Sequence, residues 1–185
     1  MIFDIIKKRR SVFPVQYNDS PIAKEDIEKV LEAGNWAPNH KCTEPWRFKV
    51  IQGDAKKRLG IFLSKKYEEL DPKPKAMKVK KLQENPQMAS AIIAICMQRD
   101  PKESLPEWEE VAAVAMAVQN MWLQCTEMGI GSYWSSPGLI KYMDEFLSLN
   151  EGEKCLGFFY MGNFDGELTE GKREPIASKT EWITE

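Results

Sequence analysis

The sequence predicts an α+β fold, a β-sheet flanked by helices, with residues 1–185 forming one domain. Three observations point there. Residues 89–97 are apolar apart from Ser90 and include three isoleucines, the composition of a central strand covered on both faces. Residues 111–125 are apolar nearly all round, interrupted only by Gln119, Asn120 and Gln124, and fall short of the ~20 residues of a bilayer span, so they read as a buried core helix. Helical and strand patterns alternate elsewhere, but without the regular βαβ rhythm that a doubly wound sheet requires.

The remaining elements follow in order. Ile2, Phe3, Ile5 and Ile6 lead into Lys7 to Arg10, a short helix whose basic end suits its dipole. Residues 24–33 space Ile27, Val30 and Leu31 helically behind Glu25 and Asp26, with Gly34 as the expected stop. Residues 46–50 alternate apolar and cationic side chains as a half-buried strand does, and Gly53-Asp54 turns the chain. Leu59, Phe62, Leu63, Tyr67 and Leu70 then form one helical stripe. Asp71-Pro72-Lys73-Pro74 breaks that helix, and the five lysines of residues 73–81 before Asn85-Pro86 suggest a mobile or exposed connection, the best candidate for a lid. The lysine run itself reads as a solvated helix face rather than a phosphate acceptor. Past the core helix come a Gly129/Gly131 turn, a strand through Tyr133 and Trp134, a helix turning Leu139, Ile140, Met143, Phe146 and Leu147 inward, and a closing strand over residues 155–161. Residues 163–185 are charged with little apolar periodicity and read as a frayed tail unless they pack on a partner chain.

Composition excludes several function classes. Among 185 residues, 43% are hydrophobic, enough for a sizeable core, and 26 Lys plus Arg against 28 Asp plus Glu leave a net charge of −2. Such a chain has no global attraction for nucleic acid or an anionic membrane, so an anion must be held by a local cluster. The four cysteines lie far apart with no C-x-x-C pair, and His40 is the sole histidine. No metal site is expected, and the thiols read as reduced. The N-terminus places its apolar part before its basic part, unlike a secretory signal, so a cytoplasmic location is expected. Gly129-Ile130-Gly131 opens like a dinucleotide fingerprint, but Trp134 stands where a small residue must let the backbone approach a pyrophosphate. Walker A, G-x-S-x-G and H-E-x-x-H patterns are absent.

One constellation survives. Arg9-Arg10-Ser11 offers two guanidinium forks and a hydroxyl, able to grip phosphate and to bond the edge of a heteroaromatic ring; alone, it reads more readily as surface charge complementing a helix dipole. Three further segments accompany it in order: Ala37-Pro38 through His40-Lys41-Cys42 to Pro45-Trp46, then Gly129-Ile130-Gly131-Ser132-Tyr133-Trp134-Ser135-Ser136, then Gly171-Lys172-Arg173. Together, over about residues 2–175, they resemble the nitroreductase family, nearest its small single-domain branch with a His-Lys pair in the first turn.

The resemblance implies a mixed, mostly antiparallel sheet, a C-terminal tail packing on the partner subunit, and a homodimer with FMN at the subunit interface. It implies an FMN-dependent oxidoreductase that passes hydride from NAD(P)H, as co-substrate, through flavin N5 to a small-molecule acceptor such as a nitroaromatic or quinone, with no catalytic side chain. Carried over, Arg9, Arg10 and Ser11 hold phosphate, ribityl and pyrimidine edge, with Arg10 facing N1 and the C2 carbonyl. His40 comes from the partner chain, Trp134, Ser135 and Ser136 run along the ring, Lys172 and Arg173 clamp the phosphate, and Trp36 borders the site. Each has a plainer alternative: a solvated loop for His40, core packing for Trp134, and capping of the helix at Pro137 for the two serines. Cys42 and Glu44 stand where many relatives carry amides, and Phe13 where a basic residue is common. These departures leave open a flavin-binding sensor or partner-binding module without efficient turnover.

Overall fold

The computed structural model describes residues 1–185. In chain order the elements are α1 (Ile2–Lys8), α2 (Lys24–Asn35), β1 (Trp46–Ile51), α3 (Asp54–Leu70), α4 (Ala76–Met88), β2 (Ala91–Gln98), α5 (Glu107–Glu127), β3 (Gly131–Ser135) and β4 (Glu153–Gly162). Short 3₁₀ turns occupy Pro14–Gln16, His40–Cys42, Gly138–Glu145 and Ile176–Lys179. The four strands pair in the order β1-β2-β4-β3, and every pairing within this chain is antiparallel.

The apolar run read as a central strand is β2, buried along nearly its whole length. Its period of two sends Ile93, Ile95 and Met97 to one layer and Ile92, Ala94 and Cys96 to the other. On the first side α2 and α5 cover the sheet, with Val30, Val114, Val118 and Met121 against Phe159 and Met161. On the second, α3 and the 3₁₀ segment supply Leu59, Leu63, Tyr67, Leu139 and Met143 against Phe158 and Tyr160. A large apolar side chain taken fully out of water in either layer contributes about 1.5–3 kcal/mol. No helix is long and apolar enough to cross a membrane.

Three expectations change. Residues 73–81 do not form a mobile lid but carry the solvated helix face that their lysines suggest: from Ala76 they form the first turns of α4, which lies against α3 with its lysines exposed. Pro86 sits inside that helix and is buried; close to the helix end, its missing N–H removes a bond only from the last turns. The segment after β3 is a 3₁₀ helix, which still buries Leu139 and Met143. Helix α2 runs past Gly34, which is buried against Met121 of α5.

Beyond β4 the chain is anchored at its start and again at Thr169, whose carbonyl accepts from Arg10 Nε. Asn163 donates to the carbonyls of Ser20 and Pro21 at 3.1 Å each, and Phe164 bridges to Tyr17. Residues 171–185 are all exposed, including Ile176, Trp182 and Ile183.

Candidate functional site

Helix α1 ends at Lys8, and the next two residues are the arginines singled out by sequence. Arg9 is partly buried and lies over Trp122 of α5, its guanidinium carbon 4.5 Å from the ring centroid. Trp122 sets its edge on Phe159 (5.9 Å, 80°) and donates from Nε1 to the Arg10 carbonyl at 3.2 Å. One indole thus fixes both arginines against the core.

The C-terminal segment returns to the same place. Arg9, Arg10 and Arg173 line one cleft of about 590 Å³ with Gln119, Glu170 and Gly171. The Arg9 guanidinium is held below its ordinary pKa, first by burial and then by the charges of Arg173 and Arg10. Although Glu170 lines the cleft, no carboxylate pairs with any of the three arginines. Three converging cations without a counter-ion favour an anion, and guanidinium forks suit phosphate.

The Arg10 side chain is engaged largely within its own chain. Its Nε donates to the Thr169 carbonyl at 2.8 Å, and Nη1 donates to the carbonyls of Lys7 (2.6 Å) and Arg9 (2.7 Å). The physical reason is local, because the last carbonyls of a helix lack intrahelical donors and a forked cation can satisfy them.

From Arg9 to Phe13 the chain passes beside the edge strand β3. Val12 is pinned to β3 by its N–H on the Ser132 carbonyl at 3.1 Å, and Ser11 between them is exposed. Phe13 meets Tyr133 at 5.0 Å, and Tyr133 stacks on Tyr160 at 5.2 Å and 26°. Tyr133, Tyr160 and Ser135 line a second cavity, about 190 Å³, opposite Lys81, Leu82 and Asn85 of α4. Phe13, four residues on from Arg9, thus brings this segment to the Tyr133 wall of the cavity, which lies on the α3 and α4 side of the sheet, whereas the cleft lies on the α5 side.

The other expected residues are elsewhere within the chain. Trp134 faces the opposite side of β3 from Ser135 and packs over Gly157, where a Cβ would lie 2.2 Å from its Nε1. Ser136 is exposed beside the cavity, and Lys172 is exposed, its carbonyl accepting from Arg173 Nη1 at 2.7 Å. Trp36 is 79% exposed and donates to Glu32 at 2.7 Å. His40 bonds through Nδ1 to Glu109 at 2.6 Å. At a rise of ~1.5 Å per residue, Glu109 lies roughly 15 Å along α5 from the Gln119 of the cleft. The His40 loop is held in an unusual shape, with Lys41, Cys42 and Glu44 at φ of 54°, 52° and 42°.

Sequence reading missed Trp122, Gln119 and the Tyr133–Tyr160 stack. The available signals were the Gln119 that interrupts the apolar face one turn before Trp122, and the period of two in β3 that puts Tyr133 and Ser135 together and Trp134 apart.

Comparison with known proteins adds a further set of findings. The family model for the nitroreductase family matches residues 6–163. A crystal structure of a nitroreductase-like family protein from Bacillus cereus superimposes with a TM-score of 0.83 at 31% identity, covering 99% of this chain and 96% of that one. YfhC of Bacillus subtilis (strain 168), which carries an NAD(P)H nitroreductase name, is 28% identical over 182 residues, 95% of this chain and 91% of that protein. A nitroreductase with bound FMN from Bacteroides fragilis NCTC 9343 shares the fold, with a TM-score of 0.74 at 24% identity over 100% of this chain and 98% of that one.

Proposed function

The chain belongs to the nitroreductase family, and from that footing we propose that it is an FMN-dependent oxidoreductase, working as a homodimer, that moves hydride from NAD(P)H to a small oxidised acceptor such as a nitroaromatic or quinone. The observation that carries the reading is the convergence of Arg9 and Arg173 without a carboxylate partner, which fits the phosphate of a mononucleotide. Bound FMN supplies the redox chemistry, taking up and giving back hydride at N5.

The protein's part is to bind, orient and exclude water. Arg9 and Arg173 hold the phosphate end, the exposed Ser11 follows them between Arg9 and Phe13, and Tyr133, Ser135 and Asn85 border the space for the ring. His40, remote from the cleft of its own chain, suits a role in the site of a second copy. The exposed Ile2, Phe3 and Ile6 of α1, Met116 of α5, and Ile176, Trp182 and Ile183 of the tail are apolar surface that such a copy would cover.

The test is direct. Purified protein incubated with FMN and desalted should retain a flavin spectrum, and NADH or NADPH should bleach it anaerobically, with an added nitroaromatic or quinone restoring it. Protein that retains no flavin from a large excess sinks the reading. Protein that retains flavin but is bleached by neither nicotinamide is a binding module instead.

A further inference from the structure

We propose that Arg10 acts as a strap rather than as a ligand: it ties the C-terminal segment to the end of α1 and thereby delivers Arg173 to the cleft beside Arg9. The inference rests on the FMN reading only for its binding assay.

The geometry is specific. Arg10 Nε reaches the Thr169 carbonyl, 159 positions away in sequence, at 2.8 Å, while Nη1 closes on the two carbonyls at the end of α1. One planar group therefore bridges two segments that share no strand or helix. Gly171 lies flat on that guanidinium: a Cβ there would stand 2.7 Å from the Arg10 Cζ and Nη2. Two residues further on, Arg173 lines the cleft and lowers the pKa of Arg9. The only hydrogen bond of the Arg173 side chain is to the carbonyl of its own neighbour, Lys172. Nothing else fixes residues 171–173, all of which are exposed, so the position of the third cation depends on the strap. With Nε and Nη1 engaged, Arg10 has only Nη2 left to offer a ligand.

The role separates from direct contact by probe. FMN carries the phosphate and riboflavin lacks it, and dissociation constants for both are measured by flavin fluorescence on wild type, Arg10→Ala, Gly171→Ala, Arg173→Ala and the Arg10→Ala/Arg173→Ala double variant. A strap predicts that Arg10→Ala and Gly171→Ala weaken FMN about tenfold, the scale of one lost charge-assisted contact, and leave riboflavin unchanged. Arg10→Ala should add nothing in the Arg173→Ala background. Equal weakening of FMN and riboflavin by Arg10→Ala, or independent effects in the double variant, overturns the strap and returns Arg10 to the ring or the phosphate.

A second readout needs no flavin. Trypsin cleavage after Lys172 and Arg173 in FMN-free protein should accelerate several-fold in Arg10→Ala and in Gly171→Ala, and unchanged rates refute the strap whatever binds. If wild type takes up no flavin, the functional reading fails while this measurement still decides the strap.

Discussion

Arg9 lies face-on to Trp122, its guanidinium carbon 4.5 Å from the ring centroid, so a half-buried cation with no carboxylate partner rests on the π-face of a core side chain. Such contacts contribute about 0.5–2 kcal/mol, more as water is excluded. Trp122 also carries the edge contact to Phe159 and the hydrogen bond to the Arg10 carbonyl. Trp122→Ala should therefore destabilise the fold by about 3 kcal/mol or more in urea titration. Trp122→Phe keeps a ring beneath Arg9 and should lose roughly half as much. Equal losses for the two variants would show that the ring is not what supports Arg9.

Arg173→Ala should separate binding from stability. Removing a like charge relieves Arg9, so the melting temperature should stay level or rise slightly. FMN affinity should fall about tenfold or more, since hydrogen bonds to charged groups contribute about 1.5–3 kcal/mol. The wild-type affinity should also weaken as salt is raised from 0.05 to 0.5 M on the ~10 Å screening scale, and the variant less so. Full flavin retention by the variant would remove Arg173 from the phosphate end.

Gly157 marks the tightest approach in the sheet. It sits in β4 at φ 155°, and a Cβ there would lie 2.2 Å from Trp134 Nε1 and 2.8 Å from the Ser135 carbonyl. Gly157→Ala should cost about 1–3 kcal/mol by overpacking, and its signature should be a changed near-UV circular dichroism band as Trp134 is displaced. An unperturbed spectrum at wild-type stability would mean that β3 and β4 separate more easily than this packing implies.

Acid stability should report on Glu153. Its side chain is fully buried and pairs with Lys49 at 2.9 Å, while Asn150 donates to it from the backbone N–H at 2.9 Å and from Nδ2 at 3.0 Å. Burial alone would raise its pKa, but the Asn150 N–H, Lys49 and Cys96 outweigh burial and hold it below the ordinary 4.5. Between those two values the unfolded chain binds more protons than the folded one, so stability rises with pH through that window. The contribution is complete above about pH 4.5 and is lost as pH falls through the lower, folded value. Urea titrations from pH 3 to 7 should show this slope, and Glu153→Gln should flatten it; an identical slope in the variant assigns the effect to other carboxylates.

The parts of the fold that the sequence makes legible are those whose signal is local. Residues 91–98 announce themselves because burial on both faces needs an unbroken apolar composition, and α5 through its apolar run from Val111, although Ala115, Met116 and Gln119 face water. Helix α4 does not, because its lysines face water and Pro86 stands where a helix ordinarily stops, while its order comes from packing on α3. The site divides in the same way. Arg9 and Arg173 are legible as cations, and their meeting in one cleft with Gln119 is not, because it depends on how the tail returns after Gly162. Arg10 shows this most plainly, since its partner Thr169 is 159 positions away and contributes only a backbone carbonyl, which leaves no mark on the sequence.

The cleft joins the ninth residue to the hundred and seventy-third, with every strand of the sheet between them. Every strand and both apolar layers are in place by Gly162, whereas the third cation comes eleven positions later. Architecture and phosphate capture are therefore separable, and a chain clipped shortly after Gly162 would keep its architecture while staying colourless.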